Sequence, residues 1–180
     1  SDSGDMYITN RVPVLSNTNI TPNTGITTSS ELVCASSVSD DDGESLIPTY
    51  EWSVGTNSYT GTTLTLTPSM VSPGDSITCS VSVEDGYGGS DSDTASVLVE
   101  NTPPVVSASI SVNGGGNTAE LTCSAVASDA DDAPVQPTIT YEWLDNSGAS
   151  LGSANPLQLD STMGTDGDEI SCVATATDLS

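Results

Sequence analysis

The feature that most constrains this chain is an internal repeat with a period near 91 residues. Asn10 and Asn101 open similar segments, NRVPVLSNTNITP and NTPPVVSASISV. Cys34 and Cys123 then stand 89 residues apart, Trp52 and Trp143 stand 91 apart, and Cys79 and Cys172 stand 93 apart. The words around these anchors agree as well: LVCASSVSD with LTCSAVASD, TYEW with TYEW, and GDSITCSVSV with GDEISCVATA. Two copies of one unit follow, residues 10–100 and 101–180, preceded by a short segment, 1–9.

Within each copy, apolar residues alternate with polar ones, and Gly, Pro, Ser and Asp mark turns between short runs. Leu32, Cys34 and Ser36 form one inward row, matched by Leu121, Cys123 and Ala125. Tyr50, Trp52 and Val54 form a second, with Tyr141 and Trp143 as counterparts, and Leu64 and Leu66 a third, echoed by Leu157 and Leu159. Ile77, Cys79, Val81 and Val83 make a fourth, matched by Ile170, Cys172, Ala174 and Ala176. A period of two without amphipathic helices predicts an all-β chain.

In each copy a Cys is followed by a Trp 18 or 20 residues later and by a second Cys 27 or 29 beyond that. This order resembles the immunoglobulin pattern, in which the two cysteines join the sheets and the Trp packs on the bridge. The resemblance implies two tandem immunoglobulin-like β-sandwiches, each with an inter-sheet disulfide, Cys34–Cys79 and Cys123–Cys172. Four cysteines allow three pairings, and the repeat makes one bridge per copy the economical choice. Antibody-like domains carry Tyr two residues before the second Cys, whereas Ile77 and Ile170 stand there. The NTPPVV linker, YEW, GDSITC and VEDGYGGSDSD instead resemble bacterial Ig-like/PKD-like tandem repeats of large extracellular surface proteins.

Composition narrows the function. Among 180 residues there are 25 acidic ones, a single basic one (Arg11) and no His, for a net charge of −24. Nucleic acid and anionic membrane surfaces are bound through Lys and Arg, so both are excluded as partners. Without His or Lys the chain builds no Ser-His-Asp triad, Schiff base or His-ligated zinc site, and no enzymatic activity is expected. No run of 18 apolar residues is present, so no inserted membrane helix is expected. With no Phe and only two Trp the core is thin, and disulfides fit an extracellular or cell-surface location.

The chain is out of phase with its repeat. The first copy runs through SDSDTASVLVE after its second Cys strand, whereas the second copy is expected to lack that last strand. Met6, Tyr7, Ile8 and Thr9 read as such a strand without a domain of their own. The expected partners are therefore copies of the same unit head to tail, either adjacent repeats of one chain or subunits that donate Met6–Thr9 by β-strand addition.

Acidic clusters recur after the first Cys strand and after the second. Asp40, Asp42 and Asp85 are expected to hold metal at the junction with a preceding unit. Glu100, Asn101, Asp129, Asp131 and Asp132 are expected to do so at the internal junction. Hard carboxylate oxygens make calcium the expected cofactor. The function expected from these features is a non-enzymatic structural repeat of an extracellular filament or cell-surface stalk, with calcium-rigidified junctions. The alternative is an adhesin-type module recognising glycan or another cell surface, for which Tyr59 and Tyr87 are the candidate loop aromatics.

Overall fold

A computed structural model describes residues 6–131, 135–165 and 167–178, and the chain divides after Asn101 into two compact units. In unit one, β1 (Val14–Thr21), β2 (Glu31–Ser39) and β5 (Thr63–Thr65) form one antiparallel sheet in the order β1-β2-β5. The second sheet is ordered β4-β3-β6-β7, from β3 (Thr49–Val54), β4 (Asn57–Thr60), β6 (Ser76–Glu84) and β7 (Ser90–Leu98). Two antiparallel sheets with this strand order make an immunoglobulin-like sandwich.

The inward rows meet between the sheets. Leu32, Trp52, Ile77, Cys79 and Val81 are all fully buried. The Cys34–Cys79 bridge ties β2 to β6 across a Cα–Cα distance of 6.4 Å. Burying an indole requires a partner for its N–H, and Trp52 Nε1 donates to the Gly61 carbonyl at 2.9 Å. Strand β1 carries a bulge between Ser16 and Asn19, with Asn17 in the left-handed region at φ 56°. An odd spacing would send Leu15 and Ile20 to opposite faces, but the extra residue resets the phase and both enter the core.

Unit two repeats the plan with β8 (Val105–Asn113), β9 (Glu120–Ser128), β10 (Thr138–Leu144), β11 (Ser150–Gly152), β12 (Leu157–Gln158) and β13 (Ser171–Thr177). Its sheets are β12-β9-β8 and β11-β10-β13. Cys123–Cys172 bridges β9 to β13 at a Cα–Cα distance of 6.2 Å. Trp143, also fully buried, donates its indole N–H to Ala154 O at 2.9 Å. One substitution of partners is instructive. In unit one the Cys34 amide donates to Thr62 O at 2.8 Å. In unit two the Asn155 side chain replaces that backbone carbonyl, Oδ1 accepting from Cys123 N at 2.9 Å and Nδ2 donating to Cys123 O at 2.7 Å.

The units differ at one edge. Strand β7 packs beside β1 and pairs with β6, whereas among the described residues β13 pairs with β10 alone. Exposure follows from this. Leu15 and Ile20 are 8% and 4% exposed, but Val106 and Ile110, which oppose the equivalent β9 residues, are 37% and 43% exposed. Cys172, Ala174 and Ala176 are half-buried where Cys79, Val81 and Val83 are buried. Among the described residues no helix is long and apolar enough to cross a membrane.

Candidate functional site

The sandwich brings the β2–β3 loop and the β6–β7 turn of unit one together. Asp40 starts a tight turn: its Oδ1 accepts from Asp42 N at 2.7 Å, and its carbonyl accepts from Gly43 N at 3.2 Å. Gly43 takes φ +80°, a conformation that costs glycine little, and the chain reverses so that Glu44 returns beside Asp40. In the other turn, Asp85 organises its own loop. Its Oδ1 accepts from Tyr87 N at 2.8 Å and Gly89 N at 2.7 Å, and its Oδ2 accepts from Asn10 Nδ2 at 2.8 Å. Gly89 is required by contact, since a Cβ there would lie 2.2 Å from Asp85 Oδ2 and 3.1 Å from Val12 Cα.

Asp40, Glu44 and Asp85 thus each place a carboxylate oxygen within 4.8 Å of the others. Asp40 Oδ2 and Glu44 Oε2 are sealed from solvent and accept no hydrogen bond, an arrangement that native proteins rarely leave uncompensated. Burial, then repulsion from Asp40, Asp85 and Asp42, pushes the Glu44 carboxyl above its ordinary value. Asp85 moves the other way, chiefly through the Asn10 hydrogen bond.

The remaining residues expected at metal sites have other positions. Asp42 Oδ2 accepts from the Arg11 backbone N–H at 2.6 Å, and the Arg11 guanidinium pairs with Asp41 at 2.5 Å. The first Asp-x-Asp word therefore clamps the segment that leads into the sandwich. Unit two repeats the clamp: Asp131 Oδ2 accepts from both N and Oγ1 of Thr102 at 2.6 Å, and Asp131 N donates to Asp129 Oδ1 at 2.8 Å. Asp129 and Asp131 are 8% and 7% exposed, and Asp129 Oδ2 is sealed without a hydrogen bond. Glu100 is tied to its own unit, Oε1 accepting from Gly25 N at 2.6 Å. Asn101 is exposed at the end of unit one, and Asp132 lies outside the described residues. Met6, Tyr7 and Ile8 are 89%, 85% and 92% exposed, and Thr9 is exposed and in no strand.

Glu44 belongs to the converged trio and was not among the expected ligands. Its signal was the DDDGE word, in which Gly43 permits the reversal. Tyr59, expected in a loop, lies in β4 opposite Trp52 and packs against the core; Tyr87 is exposed. A cleft in unit two holds Asp160 and Asp168, but both carboxylates close turns. Asp160 Oδ1 accepts from Thr162 N and Oγ1 at 2.7 and 2.5 Å, and Asp168 Oδ2 accepts from Thr165 N and Oγ1 at 2.7 and 3.0 Å. Those bonds lower the Asp160 pKa, the opposite of what a general acid needs.

No family model matches the sequence, and no curated protein does. Among solved structures, the chain is similar to the three N-terminal domains of the bacteriophage RB49 Highly Immunogenic Outer Capsid protein (Hoc), at 17% identity and a TM-score of 0.34. The alignment covers 92% of this chain and 62% of that one.

Proposed function

We propose that the chain is a non-enzymatic structural repeat of an extracellular filament or cell-surface stalk, of the bacterial Ig-like/PKD-like kind, joined head to tail with calcium at its acidic loops. The observation that carries this reading is a match of register. Aligning Asn10 with Asn101 sets Met6 and Ile8 on the positions of Val97 and Val99, which are 8% and 2% exposed in unit one. The same strand position beside β13 has no occupant among the described residues, and Val106 and Ile110 are exposed there. A strand of the Met6–Thr9 pattern, from an adjacent repeat or another copy, would cover that edge and add to its ladder.

Two observations support a structural rather than a chemical role. Asp40 Oδ2 and Glu44 Oε2 are sealed from solvent, so neither is presented to a substrate. The carboxylates of the unit-two cleft are occupied by their own turns. A charge of −24 opposes close approach of copies, and a divalent counter-ion relieves it. Sedimentation at rising concentration in calcium tests the reading. The wild type associates, and Met6→Asp with Ile8→Asp, which places charge on the two inward positions, abolishes association. Equal association of the variant would count against strand addition.

A further inference from the structure

We infer that unit one holds a calcium ion inside its own loop cluster, coordinated by Asp40, Glu44 and Asp85, as a clasp between the β2–β3 loop and the β6–β7 turn. This deepens the calcium reading above by placing the ion within one unit.

Three carboxylate oxygens within 4.8 Å of one another fit one ion. Ligands on opposite sides of calcium, at about 2.3–2.6 Å each, stand roughly 4.6–5.2 Å apart, so the trio can close on it with little rearrangement. All donors are hard oxygens, the set calcium takes, and water completes a shell of six to eight. Proximity of acids alone would not make a site. Asp40 Oδ2 and Glu44 Oε2 are cut off from water without any donor, which is costly for ionised oxygens unless a cation stands opposite. The chain cannot supply that cation, because its single basic residue, Arg11, sits on Asp41.

The second unit repeats the observation independently. Asp129 occupies the register of Asp40, is only 8% exposed, and its Oδ2 is likewise sealed and without a hydrogen bond. The sequence has Ala133 where unit one has Glu44, so that register position offers no carboxylate in unit two. The asymmetry gives the clasp a mechanical meaning. Asp85 also holds Asn10, so the ion would fasten the incoming segment, through Asp85, to both loops of the sandwich.

Calorimetric titration of the whole chain with calcium chloride, at fixed moderate sodium chloride to screen diffuse charge, tests the clasp. The expected result is one saturable tight site, weakened at least tenfold in Glu44→Gln and in Asp40→Asn and unchanged in Asp168→Asn. Asp40 Oδ1 also holds the Asp42 amide, so Asp40→Asn is the variant at risk of misfolding. Glu44→Gln, whose Oε2 has no hydrogen bond to lose, then decides. Its thermal unfolding should cross that of the wild type: equal or more stable in chelator, where repulsion is relieved, and less stable in calcium. Wild-type affinity in Glu44→Gln would overturn the inference, as would uptake that never saturates. So would a variant less stable in both conditions, which would mark Glu44 as purely structural. Failure of head-to-tail association is read by sedimentation and leaves this titration untouched, so the two proposals fail separately.

Discussion

Asp85 and Gly89 show how closely one turn is built around one carboxylate. The Asp85 side chain accepts two amides of its own loop and the Asn10 amide, and only a residue without Cβ leaves room for Oδ2 at position 89. Gly89→Ala is expected to destabilise unit one by about 1–3 kcal/mol, through overpacking against Asp85 and the Val12 backbone, with the denaturant midpoint as the readout. Carboxylates in other turns and in strand β7 bear on stability in acid. Asp93, Asp145 and Asp160 are held below their ordinary value of 3.8, first of all by hydrogen bonds from the side chains of Thr18, Ser147 and Thr162. A carboxyl with a lowered folded value contributes stability that is fully present above its unfolded value and is lost as pH falls through the folded one. The unfolding midpoint should therefore decline as pH drops below 3.8, and Asp145→Asn should make that decline shallower. A titration of stability as flat in the wild type as in the variant would show that these bonds do not matter. At this scale the sequence was read in part. The DDDGE word flagged the first loop, but that Asp42 caps the Arg11 amide while Glu44 joins Asp40 depends on how the loop folds back, which composition does not encode.

At the scale of strands, the inward rows were legible because a half-buried strand must alternate. Leu32 with Cys34, Trp52 with Val54, and Ile77 with Cys79, Val81 and Val83 all lie where alternation sets them. Two elements escaped. Leu15 and Ile20 break the period of two, and only the bulge at Asn17 reconciles them. Tyr59 sits in NSYT, a four-residue strand with polar neighbours, which looks like a loop until its pairing with β3 is seen. The bridges carry much of the stability of so thin a core. Cys34→Ala with Cys79→Ala removes a cross-link 45 residues apart in sequence and should cost about 4 kcal/mol by the chain-entropy argument. A loss under about 1 kcal/mol in chemical denaturation would mean that packing around Trp52 suffices without it. The convergence of the β2–β3 loop with the β6–β7 turn was inferable from the immunoglobulin-like order, because both loops leave the sandwich at one end.

For the whole molecule, charge and edge pull in opposite directions. A net charge of −24 keeps copies apart, while the exposed Val106 and Ile110 beside β13 invite a further strand. The proposed structure resolves the conflict by pairing the edge with a strand of the Met6–Thr9 pattern and neutralising the acidic loops with calcium. Fold class was readable from the repeated anchors and the alternation between them. What covers the edge was not, because the periodicity of one strand is the same whether its partner comes from an adjacent repeat or from another copy. Electron microscopy of the protein in calcium, repeated after chelation, tests the central claim most directly. Regular head-to-tail filaments that loosen or shorten on chelation are the predicted result. Dispersed particles of one chain each, indifferent to calcium, would contradict it.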